Sequence, residues 1–191
     1  IIMAVTNILI VGVGGQGTLL ASRVMGNLGL QLGHDVKLSE VHGMAQRGGS
    51  VVTHVRFGDK VYAPVIDAGQ ADIILAFEKL EAYRWMHFLK KGGKMFVNDQ
   101  TISPMPVVIG TAEYPKGINE KISDKADVIY IDALKIAKEA GNKKAVNIVL
   151  IGVLANNMDI EKDVFIAAIK STVPEKFLDI NLKAFEMGYN A

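Results

Sequence analysis

Four glycines follow the first apolar run of the sequence, where a strand would give way to a helix. Residues 8–11 are apolar and β-favouring, and Gly12, Gly14, Gly15 and Gly17 come directly after them. The spacing matches the G-x-G-x-x-G fingerprint, and apolar residues at helical spacing follow it. In such a strand–turn–helix unit the first helical N–H groups are unpaired and point towards the turn. The pattern predicts a turn that either packs tightly without a ligand or holds a phosphate.

A polar, glycine-containing segment at residues 41–50 is the second feature with residues able to do chemistry. Arg47 precedes Gly48 and Gly49, so its guanidinium fork can bind a carboxylate or phosphate beside accessible backbone N–H groups. His42 is a candidate proton carrier near neutral pH. The same loop can instead dock against another subunit, and the sequence leaves both interpretations open.

Glu40 ends the predicted second strand, about 20 residues after the glycine turn, where a dinucleotide-binding domain carries the acid for a ribose. An ordinary carboxylate at a strand end is the alternative interpretation. The candidate ligand-binding or interface residues are Gly12, Gly14, Gly15, Gln16, Gly17, Glu40, His42, Gln46, Arg47, Gly48 and Gly49.

Other kinds of site lack their sequence patterns. His34, His54 and His87 have no second histidine or carboxylate at metal-ligand spacing, so no metal site is predicted. His54 alternates with Val52 and Arg56 in a predicted hairpin, and we expect it on the face that leans towards solvent. The chain has neither a G-x-S-x-G elbow nor a phosphate-binding G-x-x-x-x-G-K-[ST] motif. The catalytic residues are therefore unknown from the sequence.

Composition excludes several function classes. Hydrophobic residues make up 50% of the chain and charged residues 21%, which is typical of a folded globular protein. The net charge of +1 gives no support for nucleic-acid binding. The chain has no cysteine, so it can supply neither a thiolate nucleophile nor the cysteine ligands of an iron–sulfur cluster. No apolar run approaches the roughly 18–20 residues of a membrane span. We expect a cytoplasmic protein that binds neither nucleic acid nor membrane.

Periodicity predicts the elements that position these residues. The sequence predicts strands at 8–11, 35–41, 72–77, 94–98, 107–110 and 127–131, and helices at 16–32, 78–91, 117–125, 133–140, 146–158, 159–171 and 174–187. Residues 50–57 and 60–66, joined by Gly58-Asp59, predict an antiparallel hairpin. The predicted fold is α/β: a Rossmann-like, mostly parallel sheet with helices on both faces and an inserted antiparallel hairpin. The length of 191 residues suits a single domain, residues 1–191.

The two glycine-rich segments together carry a family resemblance. NILIVGVGGQGTLLASRVMG, followed by SEVHGMAQRGGSVVTHVRFG, resembles the gamma-type subunit of the 2-oxoacid:ferredoxin oxidoreductases. The likeness extends through ADIILAFEKLEA and GNKKAVNIVLIGVLA, so it covers nearly the whole chain. The form SEVHGMAQRGG resembles the indolepyruvate branch, namely the beta subunit of indolepyruvate:ferredoxin oxidoreductase. The domain implied is a pyruvate/ketoisovalerate-oxidoreductase gamma-type catalytic domain.

The resemblance implies a subunit of a larger enzyme that is inactive alone. The family oxidatively decarboxylates a 2-oxoacid to an acyl-coenzyme A and passes electrons to ferredoxin, in anaerobic metabolism. Thiamine diphosphate and iron–sulfur clusters are implied in a larger alpha subunit, with coenzyme A as co-substrate, and no cofactor bound wholly by this chain. The two glycine-rich loops would then help to form a coenzyme A or substrate site at the subunit boundary, or dock the catalytic subunit.

Two other functions remain open at this point. A stand-alone Rossmann-type oxidoreductase that binds NAD(P) or a flavin would use the glycine turn and Glu40, but the chain has no second domain to hold a substrate. A non-catalytic nucleotide-sensing or scaffold domain would need no cluster-bearing partner.

Overall fold

Alternation along six strands builds the two faces of a central sheet. The computed structural model describes residues 5–43 and 48–191. The strands are β1 (Thr6–Val13), β2 (Asp35–His42), β3 (Ser50–Gly58), β4 (Ala71–Ala76), β5 (Leu89–Asn98) and β6 (Asp127–Ile131). Their order across the sheet is β2-β3-β1-β4-β5-β6. The pairs β1/β4, β4/β5 and β5/β6 are parallel, whereas β3 runs antiparallel to both β1 and β2.

Helices cover both faces of the sheet. In the part of the chain that the structure describes, the α-helices are α1 (Thr18–Gln31), α2 (Lys79–Trp85), α3 (Met105–Val108), α4 (Ile118–Ser123), α5 (Ala133–Ala140), α6 (Val146–Ala155), α7 (Lys162–Thr172) and α8 (Leu178–Tyr189). Short 3-10 helices occupy Met86–Phe88, Lys143–Ala145 and Glu175–Phe177. Ile8 and Ile10 point into the core formed with α1 and α5 to α8, and Leu9 and Val11 point into the core formed with α2 and α4. The predicted three-layer α/β fold is confirmed.

The antiparallel hairpin exists, but its strands differ from the predicted ones. The paired strands are β2 and β3, whereas residues 60–66 form no strand. β3 is hydrogen-bonded to β1 along one edge and to β2 along the other, so it has no free edge with which a further strand could pair. Side chains of β3 form hydrogen bonds with backbone groups of residues 60–66 instead. The Arg56 guanidinium donates to the carbonyls of Ala63 and Val65, each at 2.9 Å, and Ile66 N donates to His54 Nδ1 at 3.1 Å.

Two other predicted elements differ from the structure, one in where it ends and one in its type. The helix predicted at 78–91 ends at Trp85, passes through the 3-10 turn Met86–Phe88 and becomes β5, because Leu89 pairs with Ala71 of β4. The strand predicted at 107–110 is part of α3 and the turn after it. Pro104 caps α3, and a proline at a helix start favours the helix over a strand.

The contact between α6 and α8 closes the core. All ten residues of α6 are buried, as its nearly unbroken apolar sequence favours. Gly152 of α6 and Gly188 of α8 let the two backbones approach within van der Waals distance. No helix in the described ranges is both long and apolar enough to cross a membrane.

Candidate functional site

The glycine turn lies between the end of β1 and the start of α1. Gly15 and Gly17 have φ values of 100° and 87°, in the left-handed region that favours glycine. Gly17 is the N-cap of α1, and no side chain caps the helix there. No acidic residue lies in the first turn either. Within the described ranges no side chain therefore caps the N–H groups of that turn, which is the arrangement typical of an anion site.

The second glycine-rich segment is hydrogen-bonded to the turn. Gly14 N donates to Gly49 O at 2.8 Å, and Gly48 N donates to Gly14 O at 3.3 Å. The two segments therefore lie together at the end of β1. Because the N–H of Gly14 donates to Gly49 O, it is not available to a ligand. Gln46 and Arg47 lie outside the described residues.

Gln16 serves the fold as well. Its Oε1 accepts from Val13 N at 2.7 Å, and its Nε2 donates to Phe77 O at 3.0 Å. The side chain thus bridges the ends of β1 and β4 across the turn. Gly12 fits the same crowded corner, since a Cβ there would lie 3.0 Å from Gln16 Oε1 and from Phe77 Cβ. Gly12 and Gln16 therefore shape the turn from within.

Glu40 and His42 lie on the α1 side of the turn. With Gly14, Gly17 and Thr18 they line a cavity of about 470 Å3, named here the acidic cavity. Glu40 Oε2 accepts from Thr53 Oγ1 at 3.3 Å, and His42 Nδ1 lies 3.0 Å from Gly43 O. The described part of the lining contains one carboxylate and neither lysine nor arginine.

The position of Glu40 differs from that of a ribose-binding acid. In the dinucleotide-binding fold the second strand lies next to the first. Here β3 lies between them: Glu40 pairs with Thr53, and Thr53 pairs with Ile10. Glu40 is therefore two strand spacings, about 10 Å, from β1. This geometry does not favour a nicotinamide dinucleotide on the turn.

A second crevice lies on the opposite side of the glycine turn, and the sequence analysis missed it. Its lining includes Gly15, Gly17, Gln100, Lys143 and Lys144, and its volume is about 460 Å3; we name it the lysine crevice. Its lining comes from the loop after β1, from Gln100 after β5, and from Leu134, Lys143, Lys144 and Val146 after β6. The adjacent lysines just before an apolar helix were the available signal.

Two buried carboxylates were also missed. Glu78 is 0% exposed and accepts hydrogen bonds from Glu81 N, Ile102 N and Tyr114 OH at 2.9, 3.1 and 2.8 Å. Burial and the Glu78 carboxylate raise the pKa of Tyr114. Glu78 thereby caps α2 and fixes the base of the loop that follows β5. The sequence signal for this capping role was the position of Glu78, immediately before a helical pattern.

Glu81 holds the start of β3 at Ser50, the last residue of the second glycine-rich segment. It is 4% exposed, and its carboxylate accepts from Ser50 Oγ, from Trp85 Nε1 at 3.2 Å and from Arg84 Nε at 3.2 Å. Trp85 therefore belongs to the fold. In the described ranges, no group of three or more histidines, cysteines or carboxylates could hold a metal ion.

His54 was expected on the solvent side of a hairpin, and this expectation was wrong. The side chain is 5% exposed because residues 60–66 and Phe88 cover that face of β3. Burial, with a smaller contribution from Arg56, lowers the pKa of His54 below its usual value of 6.5. The hydrogen bond from Ile66 N requires an unprotonated Nδ1, which agrees with that direction.

His54 should make stability depend on pH. The unfolded chain binds a proton at His54 near pH 6.5, whereas the folded chain resists it. Stability from this residue is thus complete above about pH 6.5 and falls as the pH drops below it. His54→Asn keeps an acceptor for Ile66 N and removes the titration. Thermal melts between pH 7.5 and 5 should show a shallower loss of Tm for this variant; an unchanged slope would contradict the assignment.

Comparison with known proteins gives one consistent family. Residues 7–191 match the family model described as pyruvate ferredoxin/flavodoxin oxidoreductase. The indolepyruvate oxidoreductase subunit IorB of Thermococcus kodakarensis is 43% identical over 97% of this chain and 95% of its own length. The crystal structure of a keto/oxoacid ferredoxin oxidoreductase gamma subunit from Geobacter sulfurreducens superposes with a TM-score of 0.72 at 26% identity, covering 97% of this chain and 96% of that one.

The same fold also occurs inside a longer chain. It superposes on 30% of the 2-oxoglutarate:ferredoxin oxidoreductase of Magnetococcus marinus, covering 97% of this chain, with a TM-score of 0.69 at 18% identity. Among these similar proteins, the fold forms either a separate oxidoreductase subunit or one part of a longer oxidoreductase chain. The family resemblance found in the two glycine-rich segments is confirmed. The chain belongs to the pyruvate ferredoxin/flavodoxin oxidoreductase family.

Proposed function

We propose that the chain is the smaller subunit of an indolepyruvate (aryl-pyruvate) ferredoxin oxidoreductase. The complex would convert a 2-oxoacid and coenzyme A to an acyl-coenzyme A and CO2, and pass the two released electrons to ferredoxin. The observation that carries the proposal is the pair of glycine-rich segments joined through Gly14, Gly48 and Gly49 beside open N–H groups of α1. The identity of 43% to a relative named for indolepyruvate supports the substrate class.

The electron-carrying groups are assigned to a larger alpha subunit. An iron–sulfur cluster needs cysteine thiolates, and this chain has none. The residues present thus do not fit a cluster, and no step of the reaction through a cluster or through thiamine diphosphate is placed on this chain. The larger subunit would supply both groups, and ferredoxin would reach this chain only through the complex. On this view residues 1–191 act as one gamma-type domain, inactive alone, in the cytoplasm.

The part of this chain in the reaction would be to bind and orient coenzyme A. Coenzyme A carries a diphosphate, and the uncapped N-terminus of α1 beside the glycine turn suits such an anion. The Magnetococcus enzyme, which shares the fold, was crystallised with coenzyme A. Arg47 would add a guanidinium to the site or to the docking surface for the larger subunit. The adjacent backbone bonds of Gly48 and Gly49 would hold that loop against the turn.

Co-purification tests the subunit assignment. The chain should co-elute with a tagged larger subunit as a complex that contains iron and thiamine diphosphate. The same chain expressed alone should contain neither group and should not oxidise indolepyruvate. A colourless chain that alone oxidises a substrate with NAD(P) or a bound flavin would overturn the proposal in favour of a stand-alone oxidoreductase.

A further inference from the structure

The connection between β5 and α4 carries three large apolar side chains that are exposed. Met105 is 66% exposed, Val108 66% and Ile109 63%. In the part of the chain that the structure describes, none of the three belongs to either hydrophobic core. Their spacing of three and four residues puts them on one side of α3 and its C-cap. We name residues 103–113, which include this cluster, the apolar arm.

The composition of the apolar arm differs from that of an ordinary solvated loop. Residues 100–112 contain no charged residue, although charged residues make up 21% of the whole chain. The buried centres of protein interfaces are depleted of charged residues and enriched in methionine. Large apolar side chains that are exposed together are typical of a contact site for another protein. The arm therefore suits an apolar partner surface rather than an acidic or basic one.

The apolar arm is held in shape by its own hydrogen bonds. Ile109 N donates to Met105 O at 3.0 Å, and Ala112 N donates to Pro106 O at 3.1 Å. Thr111 Oγ1 also donates to Pro106 O, at 3.1 Å. A segment that already has a fixed conformation loses less conformational entropy when it binds a partner. These bonds therefore favour binding through the exposed side of the arm.

One buried carboxylate fixes both ends of the apolar arm. Glu78 Oε1 accepts from Ile102 N at 3.1 Å and from Tyr114 OH at 2.8 Å, and these two residues flank the arm. Glu78 is 0% exposed, so its charge is stabilised only by the hydrogen bonds that it accepts. The position of the arm relative to the sheet is therefore determined by the fold.

The apolar arm leaves the sheet at the same edge as the glycine turn. Because β1, β4 and β5 run parallel, the segments that follow β1 and β5 begin at one edge. Phe77 O joins the two segments, since it accepts from Gln16 Nε2 at 3.0 Å and from Asn98 Nδ2 at 3.1 Å. Under the proposed function the glycine-rich segments lie at the boundary with the larger subunit. The larger subunit would therefore approach the edge from which the arm projects.

We propose that the apolar arm docks this chain onto the larger subunit, by inserting Met105, Val108 and Ile109 into an apolar groove of that subunit. This inference rests on the proposed function, which supplies the larger subunit. Three observations support it: the arm lies at the edge of the glycine-rich segments, it lacks charge, and its conformation is fixed. The arm supplies apolar contact area beside the glycine-rich segments.

The affinity of the full chain for the tagged larger subunit, measured by biolayer interferometry without substrate, tests the proposal. The triple variant Met105→Gln, Val108→Gln and Ile109→Gln should raise the Kd of the complex about 100-fold, because three contact side chains become polar. The Tm of the isolated variant should equal that of the wild type, since the replaced side chains are exposed. The matched control, Leu30→Gln with Tyr62→Gln, replaces side chains that are 60% and 90% exposed at the edge where β1 begins, and should leave Kd unchanged.

The possible outcomes separate this inference from the proposed function. Weaker binding by the triple variant supports the inference even if the complex reduces no ferredoxin. If the wild-type chain binds the larger subunit and the triple variant binds it equally tightly, the inference is overturned and the proposed function stands. If the wild-type chain does not bind the larger subunit, both are overturned. A wild-type chain that sediments as a dimer, with a monomeric triple variant of unchanged Kd, would assign the arm to a second copy and overturn the inference.

Discussion

Gly152→Ala should lower the stability of the chain by about 3 kcal/mol, near the upper end of the overpacking range. A Cβ at Gly152 would lie 2.3 Å from Phe185 O and 2.8 Å from Tyr189 N, both in the backbone of α8. Backbone atoms cannot rotate away as a side chain can, so the two helices would have to separate. For a chain of this size we expect Tm to fall by about 6–12 °C.

Gly26→Ala is the matched control for this prediction. Gly26 is also a helical glycine, in α1, but the nearest neighbour of its added Cβ would be the Leu38 side chain, with Cδ1 at 3.0 Å. Leu38 is 45% exposed and can turn aside, while alanine gains roughly 1 kcal/mol of helix propensity over glycine. Thermal unfolding should therefore show a Tm close to or above that of the wild type. If Gly152→Ala melted at the same temperature as Gly26→Ala, the close approach of α6 and α8 would be wrong.

Arg47→Ala should lower the rate of acyl-coenzyme A formation by the assembled enzyme about 10- to 100-fold. A bidentate hydrogen bond from a guanidinium to an anion contributes about 1.5–3 kcal/mol, which corresponds to that range of rates. The expectation comes from the sequence, since Arg47 follows His42 in a glycine-rich loop and precedes Gly48 and Gly49. The melting temperature of the isolated chain should be unchanged.

The way in which the rate falls distinguishes ligand contact from subunit docking. If Arg47 contacts coenzyme A or substrate, the complex remains intact in size-exclusion chromatography and KM for one of these ligands rises. If Arg47 docks the larger subunit, the complex dissociates instead. Arg23→Ala removes the same charge from an exposed position on α1 that lines neither the acidic cavity nor the lysine crevice, and should have no effect. If the Arg47 variant turned over at the wild-type rate, Arg47 would not be part of the site.

Local patterns predicted the parts of the fold that local interactions determine. The strand–turn–helix around Gly17, the cap of α5 by Asp132 and the end of α5 at Gly141 depend on neighbouring residues, and the sequence displays them. The pairing of β3, by contrast, depends on residues that are distant in the sequence. Alternation in residues 50–57 indicated a strand, but not that β3 would insert between β1 and β2. That insertion placed residues 60–66 outside the sheet and buried His54.

The candidate site shows the same division: its local parts were predicted, and its long-range contacts were not. The glycine turn and the second glycine-rich segment were found from residue types alone, and Gly14, Gly48 and Gly49 indeed join them. The lysine crevice was not found, because Lys143 and Lys144 approach the turn only through the packing of α6 over it. A contact between residues so distant in sequence leaves no periodic signal.

Reduction of ferredoxin by the two subunits, mixed and apart, shows whether this chain acts only as part of a complex. We expect indolepyruvate to drive ferredoxin reduction only when both subunits and coenzyme A are present. Neither subunit alone should support the reaction at more than a trace of that rate. Full activity of the larger subunit without this chain, or of this chain alone, would contradict it.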